Sequence, residues 1–252
     1  MLGVTLSGGG TRGIAHIGVL HALEELKIKI NVLAGVSSGA IVGVLYSAGY
    51  SPERILHLLM EYPKISIFQP SWTKSLGFFE LKSLEKFIKT YVPTNDFSDL
   101  KIPITISAID LEQGEEVYFS EGEIAKPLIA SCCVPILFNP IKHQNRLLVD
   151  GGLLNGLITK PLENCDKKIG VHVNPFDKNH TLRNTKDIFE RCFTLAVHQN
   201  SRKNLQLCDL IIEPIELAKH AAFRWDKARL IYEIGYYATL EKKDEILKLM
   251  EM

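Results

Sequence analysis

The sequence predicts an α/β fold with a mostly parallel sheet covered on both faces by helices. Three observations lead there. Short apolar runs of strand length recur along the chain and stop at glycine, asparagine or aspartate. Between them the apolar period changes to that of amphipathic helices. Strands separated by helices call for crossover connections and parallel pairing. The 252 residues contain no internal repeat, low-complexity tract or linker, so residues 1–252 read as one domain.

The elements follow in order. Leu2 to Leu6 is a buried-strand run stopped by Ser7 and a run of glycines. From Gly13 onward, Ile14, Ile17, Leu20, Leu23 and Leu26 recur at helical spacing, with Glu24, Glu25 and Lys27 off the stripe. Val32 to Val36 is the next strand. A helix rich in alanine and glycine follows over 39–48, where Gly39 and Gly43 imply close contact with neighbouring backbone. Gly49 ends it, and Ser51-Pro52 opens another with a cap and a first-turn proline. Over 63–80, Pro63, Pro70 and Gly77 interrupt Ile65, Ile67, Phe68, Trp72, Phe78 and Phe79. Two readings stand there: a lid or apolar wall over a pocket, or a plug at the edge of the core.

Helix returns over 84–91. Residues 103–109 and 115–119 read as strands around a turn closed by Gly114. A short helix covers 123–131. The prolines at 135 and 140 predict an extended run over 134–140. A strand over 146–149 arrives at Asp150-Gly151-Gly152, and another over 169–173 ends at Asn174-Pro175. Residues 189–207 have mixed helical character, 210–212 form the last strand, and 226–250 read as one long amphipathic helix.

Formal charge is zero, from 29 basic and 29 acidic residues. That leaves no whole-chain field to hold nucleic acid or an anionic membrane. The odd number of cysteines, 5 in all, without zinc-like spacing, argues for free thiols in a reducing compartment. No signal-like segment precedes the first strand, and no apolar run is long enough to span a bilayer. The expectation is a cytoplasmic protein beginning near Met1, with transient contact at a membrane surface allowed and the oligomeric state open.

Gly35-Val36-Ser37-Ser38-Gly39 matches the Gly-x-Ser-x-Gly elbow. That chemistry needs a serine on a tight strand-to-helix turn, with small neighbours so that strand and helix pass closely. The helix start also offers unpaired N–H groups to developing negative charge. Gly8-Gly9-Gly10-Thr11-Arg12-Gly13 likewise joins a strand to a helix, and its N–H groups can face a phosphate or an acyl oxyanion. Gly8, Gly10 and Gly13 fit Gly-x-Gly-x-x-Gly, but no acidic residue ends the second strand, which argues against a dinucleotide. Arg12 either pins this loop or meets the substrate.

A serine nucleophile needs a base. Asp150 ends an apolar strand before two glycines, where it can face Ser37 or serve merely as a turn aspartate. None of the 8 histidines carries a supporting motif, though His172 or His220 could complete a triad. No metal site and no cofactor motif is present.

The ordered set Gly8–Gly13, Gly35–Gly39 and Asp150–Gly152 resembles the bacterial patatin-like phospholipases. HIGVLHALEE, SCCVPILFNP and the strand at 169–173 share the likeness, which spans nearly the whole chain. SCCVP departs by carrying cysteines where relatives often have alanine or serine. The resemblance implies a three-layer α/β/α fold and a Ser37–Asp150 dyad without histidine. It also implies an oxyanion hole from the backbone of Gly8, Gly9, Gly10, Thr11, Arg12 and Gly13, and an elbow framed by Gly35 and Gly39. The implied substrate is an acyl lipid: a phospholipid, a lysophospholipid or a related ester. An acyltransferase using the same acyl-serine and a non-catalytic acyl-lipid binding module are the alternatives. Because an ordinary aspartate has a pKa near ~3.9, such a dyad must lean heavily on oxyanion stabilisation.

Overall fold

The computed structural model describes residues 1–61, 69–70, 79–176, 182–220 and 225–251. Most of the 63–80 segment, read as lid or plug, therefore lies outside the described residues. In chain order the first half comprises β1 (Leu2–Leu6), α1 (Ile14–Glu25), β2 (Val32–Val36), α2 (Ser38–Ser47), α3 (Pro52–Glu61), β3 (Gln69–Pro70), β4 (Phe79–Glu80) and α4 (Lys82–Tyr91). The second half comprises β5 (Ile104–Asp110), β6 (Glu115–Phe119), α5 (Ala125–Ser131), β7 (Ile141–His143), β8 (Arg146–Asp150), β9 (Lys167–Val171), α6 (Thr185–Leu205), β10 (Leu210–Ile212), α7 (Ala228–Glu241) and α8 (Lys243–Glu251).

The architecture is a three-layer α/β/α stack around an eight-stranded sheet. Strands β10, β9, β1, β2 and β5 run side by side and parallel. β6, β7 and β8 join antiparallel at the far side. Along β2 the residues alternate between two cores. Leu33 faces the main one with α1 and α2, whereas Val32, Ala34 and Val36 face Ile158, Leu162 and Cys165. This is the period-2 signature of a strand buried on both faces.

Two helix contacts are close enough to require glycine. A Cβ on Gly18 of α1 would overlap the Tyr232 carbonyl, and one on Gly235 of α7 would overlap that of Ala15. Gly39 likewise lets α2 lie on the Leu6 and Ser7 carbonyls at the end of β1. β3 and β4 pair antiparallel with each other.

β5 sets the position of everything that follows. Val36 of β2 pairs with Ser107, while Ala108 pairs with Asp150 of β8. β6 pairs with residues 106–110 of the same strand. A strand has only two edges, so with β6 on one of them β2 and β8 must follow each other along the other. The end of β2 and the end of β8 thus meet at adjacent positions of β5.

The structure departs from the sequence expectations in two places. Residues 134–140 do not run extended: the Phe138 N–H donates to the Val134 carbonyl at 3.0 Å and closes a turn, with Ile136 at φ 74°. Prolines at 135 and 140 restrict their own φ but leave the residues between them able to reverse. The expected helix over 226–250 is a short turn at Trp225–Lys227, then α7 and α8, broken at Lys242 (φ −96°, ψ 11°). The Lys242 N–H bonds back to Thr239 at 3.1 Å, tightening the end of α7, and the new direction buries Ile246 of α8. Among the described residues no helix is long and apolar enough to cross a membrane.

Candidate active site

Ser37 occupies the turn between β2 and α2 at φ 51°, ψ −122°, a region that a residue with a side chain rarely enters. The flanking glycines permit it. A Cβ on Gly35 would lie 2.9 Å from the Ala40 backbone, and one on Gly39 would overlap the end of β1. Ser37 is half-buried and sits at the N-cap of α2, so the positive end of that helix faces the same space. Its N–H donates to Ser131 Oγ at 2.9 Å.

Asp150 is 1 % exposed. The Gly152 N–H donates to its Oδ1 at 2.7 Å. Burial pushes its pKa up to about 7, with the Gly152 N–H and the nearby Ser37 hydroxyl pulling the other way. Its own N–H donates to the Cys133 carbonyl at 2.9 Å. Gly151 packs over Ser107, where a Cβ would come within 2.6 Å of Oγ. Cys132 is a buried free thiol: burial first, then the Asp150 charge, holds it well above the ordinary thiol range, with the Ser37 hydroxyl pulling the other way.

The first glycine turn adjoins this pair. A Cβ on Gly8 would lie 3.4 Å from that of Ser37, and one on Gly13 would overlap Ser38. Gly10, at φ 58°, needs the freedom of glycine. Two of the expected oxyanion donors are already engaged: the Gly8 N–H donates to Gly156 O at 3.0 Å and the Arg12 N–H to Gly9 O at 3.2 Å. The N–H groups of Gly9 and Gly10 have no hydrogen bond among the described residues. Arg12 pins the loop, its Nε donating to the His220 carbonyl at 2.6 Å.

Among the described residues no histidine bonds to Ser37 or Asp150. His172 is buried with Nδ1 2.7 Å from Glu213 Oε1. His220 contributes its carbonyl to Arg12. His16 supports Ser7 O at 2.8 Å and is held at a pKa of about 4 by burial. No group of three His, Cys, Asp or Glu side chains gathers among the described residues as a metal would need. Three supporting residues escaped the sequence reading. Asn174 Nδ2 donates to Gly8 O at 2.6 Å, Ser7 Oγ accepts the Val173 N–H at 3.0 Å, and Ser131 holds the Ser37 amide. Ser7 and Asn174 had the same signal, each a polar residue that stops a strand run, whereas Ser131 had none.

Several known proteins resemble this chain in sequence or in fold. The chain is 33% identical over 175 residues to an NTE family protein of Mycobacterium tuberculosis of uncharacterized activity, covering 68% of this chain and 48% of that one. It is 28% identical over 173 residues to a probable lipid hydrolase of Invertebrate iridescent virus 6, covering 60% of each. The chain thus spans about half the length of the first of these relatives. Among solved structures, VipD of Legionella pneumophila superposes with TM-score 0.56 at 14% identity, over 97% of this chain and 66% of that one. Human GIVD cytosolic phospholipase A2, bound to a fluorophosphonate inhibitor, superposes with TM-score 0.58 at 12% identity, over 100% of this chain and 59% of that one. These two likenesses establish the fold. The patatin-like phospholipase profile matches residues 4–163, which takes in both glycine turns, Ser37 and Asp150, and the chain belongs to the patatin-like phospholipase family.

Proposed function

We propose that this protein hydrolyses fatty acyl esters of phospholipids, lysophospholipids or related lipids, with Ser37 as nucleophile and Asp150 as its base. The observation that carries the reading is the Ser37 hydroxyl beside a buried Asp150 whose pKa is pushed up to about 7 by desolvation. A base near working pH accepts a serine proton far better than a carboxylate of ordinary pKa. The aspartate is thus a stronger partner than its residue type suggests.

In the proposed reaction Ser37 Oγ attacks the ester carbonyl while its proton passes to Asp150. The oxyanion is received by the backbone of Gly9 and Gly10 at the first glycine turn, aided by the N-terminus of α2. When the tetrahedral species collapses, the alcohol leaves with the Asp150 proton and the acyl chain stays on Ser37. Asp150 then deprotonates water, which attacks the acyl-serine; as the fatty acid leaves, Asp150 returns that proton to Ser37 Oγ. The acyl lipid can be presented by transient contact with a membrane surface, and residues 1–252 act as one domain without a cofactor.

A fluorophosphonate probe tests the nucleophile directly. It should label Ser37 in the wild type and leave Ser37→Ala unlabelled, and ester hydrolysis should fall at least ~1,000-fold in Ser37→Ala and Asp150→Asn. Labelling elsewhere, or turnover retained in either variant, would overturn the reading. Product analysis with added alcohol or thiol acceptors separates hydrolysis from acyl transfer.

A further inference from the structure

We infer that Ser131 is a positioning residue that holds the nucleophile elbow in register with the base, an inference that rests on the proposed roles of Ser37 and Asp150. Their two strands do not pair with each other. β2 ends opposite Ser107 and β8 ends opposite Ala108, so only β5 relates them through the sheet. A second connection lies at the C-terminus of α5. Ser131 Oγ accepts the Ser37 N–H at 2.9 Å, and two residues later the Cys133 carbonyl accepts the Asp150 N–H at 2.9 Å. Between them lies Cys132, a buried free thiol. One three-residue turn thus grips the backbone of each.

The grip matters most at Ser37. Its φ of 51° and ψ of −122° take it out of the β2 ladder before α2 begins. The sheet therefore cannot supply a partner for its N–H, and Ser131 does. Ser131 is fully buried and is the last residue of α5, itself packed on β5 and β8, so its hydroxyl is a fixed acceptor. The Cys133 bond uses a backbone carbonyl that any residue would provide. The Ser131 bond depends on the side chain, so substitution can remove it. The bond also withholds the Ser37 N–H from any oxyanion and leaves that task to the Gly8–Gly13 turn. An elbow freed from Ser131 would let Ser37 Oγ drift from Asp150, costing rate in the chemical step with little effect on substrate binding.

The test compares the full chain with its Ser131→Ala and Ser131→Thr variants. It measures turnover of a medium-chain p-nitrophenyl ester, the rate of fluorophosphonate labelling, and hydrogen exchange of the peptide containing Ser37. Ser131→Ala should lower kcat and the labelling rate ~10- to 100-fold, leave KM within about twofold, and speed exchange at Ser37. Ser131→Thr keeps the oxygen and should recover most of the rate. If it does not fold, the exchange and labelling of Ser131→Ala decide alone. Unchanged labelling and kcat in Ser131→Ala would overturn the positioning role while leaving the hydrolase reading intact. So would a loss confined to KM, or unchanged exchange at Ser37. Absence of Ser37 labelling in the wild type would instead sink the hydrolase reading, and the positioning role with it.

Discussion

The turns at Gly8–Gly13 and Gly35–Gly39 both lead a buried parallel strand into a helix, yet one is braced from outside and the other is shaped by its own backbone. The first is tied from outside at its entry and at Arg12. Ser7 bonds Val171 and Val173, Gly8 bonds Gly156 and Asn174, and Arg12 bonds His220. Its partners come from chain segments far along the sequence. The second turn has one side-chain tie, from Ser131, and otherwise depends on glycines that bring α2 onto the end of β1. A loop that presents fixed donors needs external bracing, because donors that reorganise during reaction stabilise an oxyanion less. A loop that projects one hydroxyl needs an unusual backbone angle, which close packing enforces.

This contrast can be broken by substitution. Gly39→Ala should have the largest effect, because its Cβ would meet backbone carbonyls that cannot move aside. We expect a loss of about 3 kcal/mol or more, read by urea denaturation. Gly9→Ala in the other turn meets side chains and not backbone, Val173 at 2.5 Å and Asn174 Oδ1 at 3.3 Å. It should cost about 1 kcal/mol in stability while slowing turnover more than that suggests. Equal destabilisation by the two would erase the distinction between the turns.

The proposed base gives an effect of similar size with the opposite sign. The folded-state pKa of Asp150 is raised from 3.8 to about 7. Its contribution to stability is therefore complete below pH 4 and is lost as pH rises through 7, where the ionised carboxylate must stay buried. Asp150→Asn avoids that charge, so at pH 8 it should be more stable than wild type by about 2–4 kcal/mol, with the gap closing toward pH 4. Wild-type kcat/KM should rise with pH through a midpoint near 7 as the base loses its proton. A midpoint near pH 4 would mean that burial does not tune this group. The smallest effect is expected at Asn174→Ala, which loosens the first turn without touching the second. It should lower kcat by ~10-fold with the pH midpoint unmoved.

The α/β class, most strands of the main sheet and both glycine turns were legible in the sequence because they rest on local causes: apolar period, glycine placement and strand-to-helix transitions. The elbow at Ser37 and the strand-end aspartate were legible for the same reason. Local rules misled at two kinds of place. Prolines 135 and 140 suggested an extended run, but a hydrogen bond between Val134 and Phe138 turns the chain. The period over 226–250 continued through Lys242, yet burial of Ile246 on the sheet redirects the helix.

The sequence by itself determined which residues could do chemistry, since hydroxyl, carboxylate and glycine are properties of residue type and their turns are properties of neighbours. Tertiary structure alone decided how they act together. The shared edge of β5 brings the ends of β2 and β8 into adjacent register. Burial lifts Asp150 to about 7, a value set by desolvation and invisible in its letter. A bond to Gly156, 148 residues away in the chain, takes the Gly8 amide out of the donor set. Ser131 became part of the site only because α5 ends beside the elbow, a contact between residues 94 apart in the chain.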